Sequence, residues 1–356
     1  MERLEVKTKT NNYPIYLGRN LLHQMNSYLA KEYSTILIIT DEKVEGLYLG
    51  DMKKGLKNHP CVFHTVVPSG EKSKSIEMFY ELQTKAIEYG LDRNALIIAF
   101  GGGVVGDLAG FVASTFMRGI DFIQVPTTIL AHDSSVGGKV AVNHGLGKNL
   151  IGSFYPPVAV IYDIQTLQSL PANEIRSGYA EIVKEALIAD QELFEDILKT
   201  KLGQLSDESL KNHIFRGIEI KKHFVEADEN EKGIRAFLNF GHTLGHALES
   251  EYGYGTLSHG EAVAIGMLFA MNVSETVFST SLPVERLQKW LNDNMYPLQL
   301  NQINIEKLIK RMKSDKKVVN NHILMVLLNG IGNPVSVKIN DTDLKKYMIA
   351  FFDEER

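Results

Sequence analysis

Two histidines in Phe240-Gly241-His242-Thr243-Leu244-Gly245-His246 stand four residues apart, so one face of a helix would carry both and could hold a zinc ion. Thr243 occupies the place where a His-Glu-x-x-His protease needs its general base, which disfavours peptide hydrolysis. Two other segments offer ligands. Glu181, in Gly178-Tyr179-Ala180-Glu181-Ile182-Val183-Lys184, falls within an amphipathic helix, where a lone glutamate is as a rule solvated. His259, in Ser258-His259-Gly260-Glu261, belongs to the first turn of an apolar helix, because Ser258 and Glu261 have capping-box spacing. Glu261 then reads as a cap, and His259 as either a ligand or a buried structural histidine.

A second kind of chemistry is suggested by Gly101-Gly102-Gly103-Val104-Val105-Gly106-Asp107, which follows the apolar run 95–100 and precedes a helix-like segment. Gly101, Gly103 and Gly106 satisfy G-x-G-x-x-G, a spacing that lets backbone N–H groups approach a pyrophosphate at a helix N-terminus. A tight turn without a ligand is the other reading. The loop departs from the ordinary fingerprint because its acidic partner is displaced: Asp121 opens the next strand and so sits at the wrong end. Asp41, directly after the run 35–40, is placed either to hold a ribose hydroxyl or to cap a helix. Cations are interleaved with these motifs at Arg118, Lys139, Lys148, Lys184, Lys221, Arg235 and Lys316-Lys317. Singly each is an ordinary surface charge; beside glycines, Asn149 and Asn239 they form a donor set suited to carboxylate and phosphate.

The elements that must position these groups change character along the chain. Apolar, β-branched runs at 35–40, 61–67, 95–100, 121–125 and 158–162, with helical stretches such as 76–89 between several of them, predict a mostly parallel sheet covered by helices. After Pro171 the rhythm is helical: Ile175, Tyr179, Ile182, Val183 and Ala186; Leu210, Ile214 and Ile218; Ala262, Gly266, Ala270 and Val273. A late hairpin is predicted from 323–328, Asn329-Gly330 and 335–339. The expected organisation is therefore an α/β dinucleotide-binding domain over 1–165 and a mostly helical metal- and substrate-binding domain over 166–356.

Length fits two domains, since 356 residues exceed the usual single core. With 38 basic against 43 acidic residues, a general nucleic-acid or membrane-surface binder is disfavoured, and any anion site must be local. Cys61, the single cysteine, cannot form an intrachain disulfide, which suits a reducing compartment. The first residues lack the apolar core of a signal peptide, and the apolar stretch 95–131 is interrupted by Asp107, Arg118 and Asp121; a cytoplasmic location is expected.

Taken together, segments 101–107, 178–184, 241–246 and 259–267 resemble 3-dehydroquinate synthase, of the sugar-phosphate cyclase family. The resemblance extends through Asp133-Ser134-Ser135-Val136-Gly137-Gly138-Lys139, Gly147-Lys148-Asn149 and 228–239. It implies zinc on Glu181, His242 and His259, with His246 as a proton-transfer or substrate-binding residue; the pair chosen by spacing is thereby overruled, and one carboxylate with two imidazoles could equally hold cobalt or manganese. It implies NAD on Gly102, Gly103, Val104, Val105, Gly106 and Asp107, with Thr127, Thr128, Asp133, Lys139 and Lys148 on the nicotinamide side and Glu71 and Lys74 on the adenosine side; Asp41 joins them by its place at a strand end. Substrate contacts are implied for Lys139, Asn149, Lys184, Lys221, Arg235, Asn239, His246 and Lys316, and acid/base positions for Glu231, Lys139 and Lys184 beside His246. Arg118 is implied to reach the site of a neighbouring subunit, so a homodimer is expected. Ala131-His132 and Val140 depart from the family pattern without replacing a ligand.

The implied reaction converts 3-deoxy-D-arabino-heptulosonate 7-phosphate into 3-dehydroquinate and phosphate, on the shikimate route to aromatic compounds. It proceeds by transient oxidation with NAD, elimination of phosphate, re-reduction and aldol closure. A polyol dehydrogenase of the glycerol dehydrogenase type would accumulate NADH, and the lysine-rich donor set argues against it. A sister cyclase acting on another phosphorylated sugar is disfavoured by Lys221 and Arg235, and a noncatalytic dinucleotide-binding scaffold would keep full function in Glu181→Ala, His242→Ala and His259→Ala, where loss of bound metal and turnover is expected.

Overall fold

A computed structural model describes residues 1–9, 11–252, 257–300, 303–315 and 322–354. The chain divides into two units, Met1–Leu170 and Pro171–Arg356.

In the first unit the elements are β1 (Glu2–Val6), β2 (Tyr13–Gly18), β3 (Ile36–Asp41), α1 (Glu42–Gly55), β4 (Val62–Val67), α2 (Ile76–Glu88), β5 (Leu96–Gly101), α3 (Gly103–Thr115), β6 (Asp121–Pro126), α4 (Ala131–Ser134), β7 (Lys139–His144), β8 (Gly147–Phe154) and β9 (Ala159–Asp163). Seven strands form one sheet in the order β1-β2-β9-β6-β5-β3-β4, parallel throughout except for β1, which pairs antiparallel with β2 at the edge. The alternation of a strand decides the layers. Leu37, Ile39, Ile97 and Ala99 face Leu82 of α2 and Leu108 and Val112 of α3, while Ile36, Ile38, Leu96, Ile98 and Phe100 face Val44, Leu49 and Met52 of α1. Each of the five apolar runs becomes a strand whose ends agree with the expected ones to within one residue.

The order of strands also marks a place for a ligand. From β3 the chain steps outward to β4, then returns to the other side of β3 for β5 and continues to β6 and β9. The direction reverses between β3 and β5, and the crevice outside the carboxyl ends of such strands is where open α/β sheets bind ligands. Those ends are Asp41 and Gly101.

The second unit is mostly helical: α5 (Ala172–Ala189), α6 (Gln191–Ile197), α7 (Asp207–Ala227), α8 (His242–Tyr252), α9 (His259–Phe278), α10 (Val284–Asp293), α11 (Ile305–Asp315), the strands β10 (His322–Leu328) and β11 (Pro334–Asn340), and α12 (Asp341–Glu354). The strands form the expected antiparallel hairpin. Helix α9 is the hub, packed by α5, α8, α10, α12 and β10 and buried continuously from Gly260 to Met271. Its length and composition would suit a membrane span, but a helix apolar on every side and covered on every side is a core helix.

Candidate functional site

The metal-ligating candidates come from three helices of the second unit, and glycines set how closely those helices approach. A Cβ on Gly260 would lie 2.0 Å from the Ser177 carbonyl oxygen of α5, and one on Gly266 would lie 1.9 Å from the Gly241 carbonyl oxygen at the start of α8. Only hydrogen fits there, so α9 can pass against both backbones. The entry to α9 is fixed by the expected capping box between Ser258 and Glu261. The same Glu261 carboxylate accepts from Arg176 Nε at 2.8 Å, tying α9 to the helix that carries Glu181.

Within this frame Glu181, His242, His246 and His259 come together. Glu181 Oε1 lies 3.5 Å from His242 Nε2 and 3.4 Å from His259 Nε2. Its other oxygen, Oε2, is 2.5 Å from Lys184 Nζ in a pair whose side chains are both 1% exposed. The segment of α5 from Ser177 to Ile188 is buried on every side, which is why Glu181 is not the solvated glutamate expected of a lone helical carboxylate. The His246 ring centroid is 5.2 Å from that of His242 and 5.7 Å from that of His259, and ligand atoms of the three histidines all lie within 4.8 Å of one another.

Hydrogen bonds at the far side of two rings decide which nitrogens face the cluster. His242 Nδ1 is 3.1 Å from the Phe240 carbonyl oxygen, and His259 Nδ1 is 3.2 Å from Glu249 Oε2. A carbonyl and a carboxylate only accept, so each Nδ1 carries a proton and each Nε2 is the nitrogen turned toward the cluster. Burial, the largest influence on His242, pushes its pKa down to about 3, so this imidazole is neutral at physiological pH. For His259 burial is again the largest influence and lowers the pKa, but hydrogen bonds and charge from Glu181 and Glu249 outweigh it and bring it up to about 10. Two buried carboxylates flanking one imidazole thus favour a positive charge at this point, and a metal cation bound there would take the place of the Nε2 proton. One carboxylate and two inward imidazole nitrogens suit a divalent transition metal such as zinc.

Other candidates of the second unit lie on elements packed beside these. Lys221 of α7 is buried, and the turn Ile234–Asn239, which contacts both α5 and α7, carries Arg235 and Asn239. Arg235 is 1% exposed and donates from Nη1 to the Glu229 carbonyl oxygen. Asn239 Nδ2 donates to Glu231 Oε1 at 2.9 Å, so two residues of the expected site are brought into contact. Asp228 organises the loop before them by accepting backbone N–H groups of Lys232, Gly233 and Arg235 at 3.0, 2.6 and 3.2 Å. These donors, Lys232 foremost, hold its carboxyl below the usual range. Lys316 and Lys317 lie outside the described residues.

In the first unit Gly102 caps α3 without a side chain, and the first bond of that turn runs from Gly106 N–H to the Gly102 carbonyl oxygen at 3.0 Å. The N–H groups of Gly103, Val104 and Val105 come before it, at the positive end of the helix. A Cβ on Gly102 would stand 3.0 Å from Thr128 Cγ2, and one on Gly103 would stand 3.2 Å from Ser134 Oγ. Thr127 is anchored by its N–H to the Gly101 carbonyl oxygen at 3.0 Å. Asp41 does cap α1, accepting from Lys43 and Val44 N–H at 2.9 and 3.2 Å and from Ser69 Oγ at 3.0 Å, all on Oδ1. Glu71, Lys74, Asp107, Lys148 and Asn149 form one network. Buried Lys74 donates to Asp107 and Asn149, Asn143 Nδ2 donates to Glu71 Oε1 at 2.7 Å, and Lys148 Nζ is 3.9 Å from Glu71 Oε1. Asp133 is on α4, Lys139 is exposed at the start of β7, and Arg118 is exposed in a turn after α3 where φ is 48° at Met117 and 70° at Arg118.

Residues 64–177 match the family described as 3-dehydroquinate synthase N-terminal, and residues 178–318 match 3-dehydroquinate synthase C-terminal. The chain belongs to the 3-dehydroquinate synthase family. A 3-dehydroquinate synthase of Oceanobacillus iheyensis is 55% identical over 354 residues, 99% of each chain. Among solved structures, 2-deoxy-scyllo-inosose synthase in complex with carbaglucose-6-phosphate, NAD+ and Co2+ superposes with a TM-score of 0.88 at 28% identity, covering 97% of this chain and 98% of that one. The 2-epi-5-epi-valiolone synthase of Streptomyces hygroscopicus subsp. jinggangensis, with NAD+ and Zn2+ bound, gives 0.87 at 25% identity, covering 98% and 99%.

For this member of the 3-dehydroquinate synthase family, sequence reasoning missed Glu249, Asn143 and Arg176. Glu249 had a usable signal, since it follows His242 by seven residues and so continues the helical face of His242 and His246. Asn143 and Arg176 make partnerships across elements, for which no spacing exists to be read.

Proposed function

We propose that the protein converts 3-deoxy-D-arabino-heptulosonate 7-phosphate into 3-dehydroquinate and phosphate. The observation that carries this reading is the placement of Glu181 Oε1 within 3.5 Å of His242 Nε2 and 3.4 Å of His259 Nε2, in a chain related to 3-dehydroquinate synthases over nearly its whole length. Glu181, His242 and His259 hold the metal, three protein ligands that leave room for substrate oxygens. Bound there, zinc, or cobalt in its place, supplies Lewis acidity, while NAD+ supplies a hydride acceptor that is regenerated within each turnover.

The chain's own groups bind the anion and move protons. Lys184 has a double part in this reading: it pins Glu181 Oε2 and adds positive charge beside the cluster. Lys221, Arg235 and Asn239 bind substrate, with Lys316 as a further contact. His246 is a proton-transfer group, and Glu231, oriented by its bond from Asn239, is an acid/base residue. In the first unit the backbone of Gly102 to Asp107 takes the pyrophosphate. Asp41 takes a ribose hydroxyl, because a carboxylate that caps a helix through one oxygen retains acceptor capacity. Glu71 and Lys74 serve the adenosine side, Thr127, Thr128, Asp133, Lys139 and Lys148 the nicotinamide side, and Lys139 and Asn149 add donors for substrate anions. In this reading the enzyme is a cytoplasmic homodimer in which Arg118 serves the neighbouring copy.

The test is to incubate the protein with zinc, NAD+ and the heptulosonate phosphate while following phosphate and absorbance at the NADH band. Stoichiometric phosphate and 3-dehydroquinate without net NADH are expected. Sustained NADH accumulation without phosphate would identify a dehydrogenase instead.

A further inference from the structure

The His259 ring is held between two carboxylates on different helices. Nε2 lies 3.4 Å from Glu181 Oε1 of α5, and Nδ1 lies 3.2 Å from Glu249 Oε2 of α8. A neutral imidazole can present either nitrogen, and an unanchored ring can also turn about its side-chain bonds; each alternative removes the lone pair from the cluster. His259 has particular need of an anchor, because it is the first residue of α9 and its side chain is 29% exposed. Glu249 meets that need from a rigid place. It belongs to the same face of α8 as His242 and His246, with its side chain only 11% exposed.

We propose that Glu249 is a positioning residue for the metal: it accepts the Nδ1 proton of His259, which fixes the tautomer and the ring plane, and its negative charge makes Nε2 a stronger donor. The inference rests on the metal reading above but concerns a residue outside the ligand set. Backbone carbonyls and carboxylates behind ligating histidines act in this way at metal sites generally, and their removal typically weakens metal binding by about 10- to 100-fold. The Phe240 carbonyl oxygen already plays the neutral version of this part behind His242 at 3.1 Å.

The experiment compares the full-length protein with Glu249→Ala and Glu249→Gln. Metal is stripped with a chelator, zinc affinity is measured by competition with a chromophoric chelator, and the visible absorption of bound Co2+ reports ligand geometry. Glu249→Ala is expected to bind zinc roughly 10- to 100-fold more weakly and to shift the Co2+ bands. Glu249→Gln keeps an acceptor oxygen but loses the charge, so its affinity should fall between the two. Affinities of both variants within about twofold of the parent, with unshifted Co2+ bands, would overturn the inference. Should Glu249→Ala fail to fold, the near-isosteric Gln variant decides by the same criterion. Failure of the metal reading itself looks different: the parent protein then binds no zinc, whereas failure of this inference leaves the parent binding one equivalent and Glu181→Ala binding none.

Discussion

Glu181 and His246 both lie beside His242 and His259, and metal content separates their roles. If Glu181 is a ligand and His246 a proton-transfer group, Glu181→Ala and His242→Ala should lose both bound zinc and turnover. His246→Ala should retain about one equivalent of zinc while kcat falls by about 10²- to 10⁴-fold, the usual contribution of a positioned acid or base. Metal analysis of the purified variants checks this, and loss of zinc from His246→Ala and His242→Ala with zinc retained in Glu181→Ala would make the three histidines the ligands. The anion donors behave differently, since a charge-assisted bond contributes about 1.5 to 3 kcal/mol. Lys221→Ala and Arg235→Ala should therefore lower kcat/KM by roughly tenfold or more with zinc retained. Much of this was legible, but unevenly. Spacing alone favours His242 with His246, because a helix face is the only geometry a spacing encodes; Glu181 and His259 joined the set through resemblance. What no local pattern could supply is that α5 is buried on every side around Glu181, a consequence of helices meeting it from far along the chain.

At the scale of elements, the site depends on how closely α9 can approach its neighbours. Gly260→Ala and Gly266→Ala would place a methyl group 2.0 and 1.9 Å from the carbonyl oxygens of Ser177 and Gly241. Overpacking of this kind typically costs about 1 to 3 kcal/mol, so the melting temperature should fall and zinc affinity with it. Gly46→Ala on α1 is the matched control. It meets nothing within 4 Å, and gaining a better helix former should leave stability unchanged or raise it by about 0.5 to 1 kcal/mol. Thermal scans of the three variants test the contrast, and equal effects would remove the steric argument. The loop beneath Glu231 and Arg235 gives a pH-dependent counterpart. Because the folded-state pKa of Asp228 is depressed, its contribution to stability is present above the unfolded pKa of about 3.9 and disappears as pH falls through the lower folded value. Asp228→Ala should accordingly be less stable than the parent at pH 7, and the two should converge in acid below about pH 4. Five of the seven strands of the main sheet, β3, β4, β5, β6 and β9, were legible because they read as apolar, β-branched runs, as strands of a sheet covered by helices do. Strands β1, β2, β7 and β8 were not. β1 and β8 are partly exposed along most of their length, and β2 alternates buried with half-buried positions, so none offers such a run. β7 is a short run with an exposed lysine at its head, paired only with β8.

For the molecule as a whole, quaternary structure is the remaining question, and Arg118 allows it to be asked through activity. Met117 and Arg118 both adopt positive φ, and Arg118 is followed by Gly119 at 118°, so the turn holds three successive residues in the left-handed region. Such backbone is costly and persists where surrounding structure imposes it. Here it leaves Arg118 at the surface beside Met117, which is 45% exposed. If this arginine serves the neighbouring copy of a homodimer, Arg118→Ala should be impaired by roughly tenfold or more and Glu181→Ala inactive, for different reasons: one lacks the donated cation, the other its own metal ligand. In a mixed dimer, the subunit with an intact Glu181 receives an intact Arg118 from its partner, while the other subunit lacks both. One site per mixed dimer is whole. Random reassortment makes about half the dimers mixed, so co-refolding or co-expression of the two defective variants should make about a quarter of all sites whole and raise activity above that of either variant alone. The purified mixed species should also bind about one zinc per dimer. An arginine that served its own subunit would leave every site in every mixture with one defect, and mixing would restore nothing.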